Sequence, residues 1–242
     1  MLKKIDNSKK KGNASISVLY PGLYLSDKDT GYYTIGRIDQ ARILPGTVIK
    51  MHPHINDDIL SYFRKGKAKH TDSEGFTETI TPSRLMLMKA GNIFYHEEAI
   101  VEELEGLQIF IRPKEKDAKP EVIFQELEEV HSLDNWRLIA SADINKTRLQ
   151  LSSDTYIYDM QAGQGKVFSL PENPREGYAY LLYVFQGSIT VNGSIDLQKG
   201  ESVFIRDENL EFKTDEYAEL VLFVTNTAGA YYDGGMYSGN KM

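Results

Sequence analysis

The pair His52-Pro-His54 is the chain's most pointed chemical signal. Strand side chains at i and i+2 share a face, so two imidazoles at this spacing can grip one ion. Five His in 242 residues would give only about 0.1 such pair by chance. Pro53 does not suit a central strand, but it suits an edge or a bulge, and bulges often border active sites. His96 follows about forty residues later, with Glu98 on the same face if this too is a strand. A His with an acid two places on is expected about 0.7 times by chance, so this second motif gains its weight from the first. Together they offer three imidazoles and one carboxylate, a set that suits Fe(II), Mn(II), Ni(II), Cu(II) or Zn(II). Four protein ligands on a six-coordinate ion leave two positions open, for a chelating substrate or for a substrate and O2.

The other histidines read differently. His70 sits in the polar stretch Lys69-His-Thr-Asp-Ser-Glu-Gly75 and reads as a surface residue. His131 reads as a boundary residue, and Asp154 and Asp159 as loop and edge acids. No His follows 131, so a second copy of the site is not expected. The stretch Pro171–Pro174, which corresponds to the first His pair, offers only Glu172 and Arg175 nearby, so the C-terminal half is expected to be metal-free.

Several chemistries are excluded. With no cysteine there is no thiolate zinc site, disulfide or cysteine nucleophile. There is no Gly-x-Gly-x-x-Gly, P-loop or Gly-x-Ser-x-Gly motif. A formal charge of −7 and the lack of a basic stripe interleaved with aromatics argue against direct nucleic-acid binding. The one basic cluster, Lys3, Lys4, Lys9, Lys10 and Lys11, reads as a solvated, partly disordered N-terminus and not as a signal peptide. No run of 18 apolar residues marks a membrane span. A cytoplasmic home is expected.

Stepping outward, the elements that must position these residues read as short strands: Gly31–Ile38, Ile59–Phe63, Leu85–Met88, Leu107–Ile111, Tyr180–Phe185, Ser202–Ile205 and Leu220–Thr225. The best helix candidate is the short acidic Val122–His131. A β-rich chain must close or stack its sheets to hide their edges, so a sandwich or barrel follows. Leu60-Ser-Tyr-Phe-Arg-Lys-Gly66-Lys-Ala68 is echoed by Leu182-Tyr-Val-Phe-Gln-Gly187-Ser-Ile189, half a chain later. The echo predicts two copies of one β-barrel unit, hinged at Arg112–Pro120. The expected division is 1–112 for a barrel with the metal site, 113–135 for a linker with the short helix, and 136–242 for a second barrel. The Gly/Tyr-rich tail of that last segment reads as a wrapped arm or a loose end.

The chain resembles the pirin family, the two-barrel branch of the cupins. The resemblance rests on Met51-His-Pro-His-Ile-Asn-Asp-Asp-Ile-Leu-Ser-Tyr62, Gly66-Lys-Ala-Lys-His-Thr-Asp-Ser-Glu-Gly75, Met88-Lys-Ala-Gly-Asn-Ile-Phe-Tyr-His-Glu-Glu98 and Leu107–Ile111. It continues more generically through Gly200-Glu-Ser-Val-Phe-Ile-Arg-Asp-Glu208. It implies an all-β bicupin of two tandem jelly-roll barrels and places the family's metal ligands on His52, His54, His96 and Glu98. It implies one divalent transition metal, Fe(II) first, with Mn, Ni, Cu or Zn also suited. Some bacterial members are similar to quercetinases, which open a flavonol with O2 and release carbon monoxide. In that chemistry the substrate hydroxyl loses its proton and binds the metal as an anion, and Glu98 acts as ligand and base. A second function known in the family is metal- or redox-sensitive binding of a protein partner, and a third possibility is a scaffold with a vestigial site. The family usually has Arg after His-Pro-His, Glu three places beyond, and Gly before the second metal strand. Here Ile55, Asp58 and Ser83 stand at those positions, which bears on substrate identity. A monomer is expected, because two fused barrels cover each other's edges.

Overall fold

The apolar runs marked out by the sequence fall in strands of the computed structural model, which describes residues 1–26, 28–171 and 176–240. One run starts late. Tyr33 has a φ of 52° and an isolated bridge joins Tyr32 to Ile35, so a turn occupies Gly31–Thr34 and the strand is Ile35–Ile43. Among the described residues there is no α-helix, only a 3-10 turn at Pro21–Tyr24. The fold is an all-β bicupin. No described helix is long and apolar enough to cross a membrane.

Two compact units form. The first comprises Lys10–Val130, Arg148–Ser153 and Ala230–Met242. Its frame is two long antiparallel strands, Asp58–Asp72 and Phe94–Ile111, which pair along nearly their whole length. Gly66 has a φ of 85°, and a Cβ there would lie 2.2 Å from the Glu103 carbonyl oxygen, so only glycine lets the first of these strands bend here. Gly187 repeats the device in the other unit, with a φ of 79° and 2.1 Å to the Tyr217 carbonyl oxygen. The sequence echo is therefore an echo of backbone geometry. Ile59, Phe63, Met86, Met88, Phe94, Leu104 and Phe110 line the first unit's core.

The second unit comprises Met1–Lys9, His131–Thr147 and Asp154–Gly229. A six-stranded sheet and a four-stranded sheet enclose a core that includes Leu182, Val203, Phe212 and Leu222. The expected boundaries at 112 and 136 do not coincide with these units, because both chain ends carry contacts that the order of the sequence hides. Leu2–Ile5 is a strand paired with Ser202–Arg206, so the N-terminus is not loose. Burial at both ends of the strand holds it: Ile5 is fully buried and Leu2 packs on the core, while Lys4 pairs with Glu201. The tail belongs to the first unit and is a wrapped arm.

Two further expectations are corrected. Val122–His131 is not a helix; Glu121–Glu126 is a strand paired antiparallel with Arg84–Lys89. Val122 and Phe124 pack against the core and Arg84 stacks 4.5 Å from the Phe124 ring centroid, so the β-branched and aromatic residues outweigh the acidic ones. Asp159 is not an edge acid. Its strand, Thr155–Ala162, has a neighbour on each side, and its buried carboxylate takes a two-pronged hydrogen bond from the facing Arg137. Asp154 is a loop acid, accepting from the Tyr178 hydroxyl and the Asn226 amide.

Asp58 opens one of the frame strands and is 1% exposed. It accepts a hydrogen bond from the Ser152 N–H at 2.7 Å, but burial still pushes its carboxyl up to about 6. The native state thus holds this proton more tightly than the unfolded chain, whose value lies near 3.9. The group's contribution to stability is full below about pH 4 and is lost as pH rises through about 6. Asp58→Asn keeps an acceptor for Ser152 and removes the buried charge. It is expected to raise stability at pH 8 by on the order of 2 kcal/mol and to change it little at pH 4. Urea melts at the two pH values check this; an equal change at both would exclude the charge as the cause.

Candidate metal centre

Among the described residues the strand Val48–His54 pairs only with the start of Phe94–Ile111, so it is an edge, and its register shifts between Ile49 and His52. Pro53 therefore sits where a missing N–H is tolerated, at an edge beside a bulge. In this register His52 faces His96 directly. Alternation turns His54 to the same face as His52. The three rings converge, with centroids 4.8, 4.6 and 4.9 Å apart. His52 Nε2 and His54 Nε2 are 3.0 Å apart, and the three residues offer ligand nitrogens within 4.8 Å of one another.

Burial sets their protonation. His96 is fully buried and is driven down to about 2, first by burial and then by the neighbouring rings. His54 is lowered as well, by burial first. Both are neutral at physiological pH, the form in which imidazole binds a metal. His96 Nε2 is buried with no hydrogen-bond partner, and such an orphaned acceptor calls for an explanation such as an ion.

Glu98 is 3% exposed, and burial alone pushes its carboxyl up to about 7. Its Oε1 lies 3.9 Å from His96 Nδ1 and accepts only a long 3.5 Å contact from Gln108. The structure groups Glu98 with His96 and His70 within 4.8 Å, while His52, His54 and His96 form the other group. His96 is common to both. A buried carboxylate with no cation beside it and a set of neutral imidazoles fit a divalent ion, whose charge would reverse the cost of ionising Glu98.

His70 is the residue that the sequence reading misplaced. It is 1% exposed, and its Nδ1 is 3.3 Å from His96 Nδ1. The frame strand does not end at Gly66 but runs on to Asp72, and the turn begins only at Ser73. Ala68, His70 and Asp72 alternate inward between Lys67, Lys69 and Thr71, and that alternation was the available signal. Beyond His70 lies a cavity of about 430 Å³, lined by His70, Asp72, Phe94, Val122 and Phe124 among others. His131 is exposed at the point where the chain leaves the first unit.

The tail closes the other side. Asp57 is fully buried and accepts the N–H groups of Tyr237 and Ser238 at 3.0 and 2.8 Å. The Ile55 carbonyl accepts from Met236. These bonds seat the Tyr237 ring 4.9 Å from His54 and 5.4 Å from Phe110, with the Arg37 guanidinium 5.3 Å above it. Ile55 supplies no charge, so the positive group near this wall is Arg37, held by Asp39. Ser83 needs no glycine, since its φ is not positive. Among the described residues no comparable metal-ligand group lies in the second unit. The stretch Pro171–Pro174 with Glu172 and Arg175, expected to correspond to the His pair, lies outside the described residues except for Pro171.

Comparison with known proteins gives the chain's relatives. Residues 5–111 match the family described as Pirin, and residues 138–224 match the one described as Quercetinase C-terminal cupin domain. The quercetin 2,3-dioxygenase of Escherichia coli K12 is 25% identical over 206 residues, covering 83% of this chain and 86% of the relative. The structure of YhhW from Escherichia coli superposes with a TM-score of 0.78 at 21% identity, covering 93% of this chain and 97% of that one. Its nickel(II) complex gives a TM-score of 0.77 at 19% identity, covering 93% and 99%. A quercetin 2,3-dioxygenase structure from Acinetobacter baumannii gives 0.74 at 18% identity, covering 93% and 86%.

Proposed function

This chain belongs to the pirin family, and from that premise we propose that it is a metal-dependent dioxygenase acting on a flavonol-like substrate with O2. The observation that carries the reading is the convergence of three imidazoles, one with an orphaned buried nitrogen, next to a buried carboxyl poised near neutrality. His52, His54, His96 and Glu98 would hold one divalent transition ion. Fe(II) is the first choice, and Ni(II) gains support from the nickel complex of a structural neighbour. A bound ion supplies Lewis-acid polarisation that favours the anion of an enolic hydroxyl.

The protein's own groups supply the rest. Glu98, the buried carboxylate of this cluster, could accept the hydroxyl proton and release it again. Phe94 and Phe124 offer apolar walls in the cavity beside the cluster, and Tyr237 forms an aromatic wall on the His54 side. These surfaces suit a flat aromatic ring.

The expected result is that protein reconstituted with Fe(II) or Ni(II) consumes a flavonol and releases about one carbon monoxide per molecule, with steady loss of the flavonol's visible absorption. Metal-loaded protein that does neither, or a His96→Ala variant that behaves identically, would remove the reading.

A further inference from the structure

We propose that His70, backed by Asp72, is a positioning residue that fixes which nitrogen of His96 carries the proton and leaves His96 Nε2 bare as a ligand atom. The inference rests on the reading of His52, His54 and His96 as a metal centre, but it has a test that needs no metal.

The two Nδ1 atoms of His70 and His96 face each other at 3.3 Å. Both rings are buried, and burial disfavours their charged forms. Two neutral rings share one hydrogen bond at this contact, so one Nδ1 donates and the other accepts. Only two arrangements exist, and Asp72 distinguishes them. Its Oδ1 accepts the N–H groups of Glu74 and Phe76 at 3.0 and 3.1 Å, which pins the carboxylate. Its Oδ2 is left 3.6 Å from His70 Nε2, which has no partner at hydrogen-bond distance.

Suppose His96 Nδ1 carries the hydrogen. It then donates to His70 Nδ1, and His70 carries its own hydrogen on Nε2, directed at Asp72. The His96 hydrogen meets an acceptor, the His70 hydrogen faces the Asp72 carboxylate across 3.6 Å, and His96 Nε2 is a free lone pair. In the reverse arrangement the His70 Nε2 lone pair faces a carboxylate lone pair. His96 Nε2 would then hold a hydrogen with no acceptor in the fold. The carboxylate therefore selects the first arrangement. Metal-binding histidines are ordinarily oriented in this way by an outer partner, here in two steps, His96 to His70 to Asp72. The acids Glu78 on one neighbouring strand and Glu98 on the other also face His70, and both favour a hydrogen on it over a lone pair.

The test uses the full chain and Ni(II) alone. Nitrogen-15 NMR of the metal-free protein should show His96 protonated on Nδ1. Asp72→Asn can offer His70 Nε2 a donor, so it should move the His96 hydrogen partly or wholly to Nε2. His70→Ala should weaken Ni(II) binding about 10–100-fold, the usual cost of losing an outer partner. His70→Asn, whose amide oxygen can stand in for Nδ1 as acceptor, should restore most of the affinity. In all variants that bind, X-ray absorption should count the same number of histidine ligands as in the wild type. His96 protonated on Nε2 in the wild-type apo protein would overturn the proposal, as would a histidine ligand lost from the nickel in His70→Ala. Thermal melts on each variant exclude loss of fold, and a chain that binds no nickel would remove the metal reading while leaving the apo NMR result to decide the tautomer.

Discussion

Replacing His96 with alanine is expected to lower bound metal from near one ion per chain to less than about a tenth, a larger loss than any outer-shell change produces. His96 is the residue common to both ligand groups, and its ring lies 4.6 to 5.2 Å from the rings of His52, His54 and His70. Its removal leaves the edge pair without its third nitrogen and cuts the path to His70. What remains is two imidazoles on an edge strand and the Glu98 carboxylate, a set without the nitrogen that both ligand groups share. Metal content by mass spectrometry, on protein prepared without chelator and reconstituted with Ni(II) or Fe(II), checks the expectation. A second readout is stability. At a free-metal concentration of about 100 times Kd, the wild type should gain roughly 2.7 kcal/mol on loading, and the variant should gain almost nothing. Equal metal content in wild type and variant would mean that the ion sits elsewhere.

The second large effect is expected at Arg112, which is not one of the residues of the metal cluster. Its side chain is completely buried. The guanidinium donates to both Asp29 oxygens, to the Tyr33 and Ser238 carbonyls and to the Asn240 amide oxygen, and it lies 5.4 Å from the Tyr231 ring centroid. It thus ties the tail to the body of the first unit. Arg112→Met fills similar space but leaves several acceptors without donors, Asp29 among them. Breaking one side of a buried pair costs about 3–5 kcal/mol, and the partial exposure of Asp29 places this case at about 3 kcal/mol. Arg112→Lys should recover little, since an ammonium cannot serve these divergent acceptors at once. A urea midpoint for Arg112→Met within error of the wild type would show that the tail is not held from here. The variant should also bind Ni(II) more weakly, because the tail that it loosens carries Tyr237 and the N–H groups on Asp57.

Much of this architecture is legible in local patterns. The strands around Leu60, Leu85, Leu107, Leu182 and Leu220 announce themselves by apolar and aromatic runs, and His-x-His with His-x-Glu by the two-residue period. What is not legible depends on partners distant in the chain. His70 looks like part of a polar turn until Gly66 is seen to bend a strand instead of ending it. Val122–His131 looks helical from its acidity, yet it becomes a strand because Arg84–Lys89 offers an open edge. The lysine-rich start is ordered by Ser202–Arg206, a partner nearly 200 residues away. Asp159 reads as an edge acid because nothing near it in sequence shows that Arg137 will stand opposite. In each case a long-range pairing outweighs a local preference, and periodicity alone carries no trace of it.

The wrapped arm has a consequence for the order of events during synthesis. His52, His54 and His96 leave the ribosome early, but the N–H groups that satisfy Asp57 lie 180 and 181 residues further on. At about 5–20 residues per second, roughly 10–40 s separate the two. During that interval the loop between His54 and Asp58 has no arm against it, and the first barrel waits on residues made after the whole of the second. A first barrel that folds before the second, in the order of translation, therefore does so without these partners for Asp57. A metal that arrives early meets a half-walled site open to water and to competing ligands, whereas one that arrives after residue 240 meets the finished one. Maturation of the centre is thus coupled to synthesis of the arm, and nascent chains stalled in the second barrel should hold metal weakly even though every ligand has already been made.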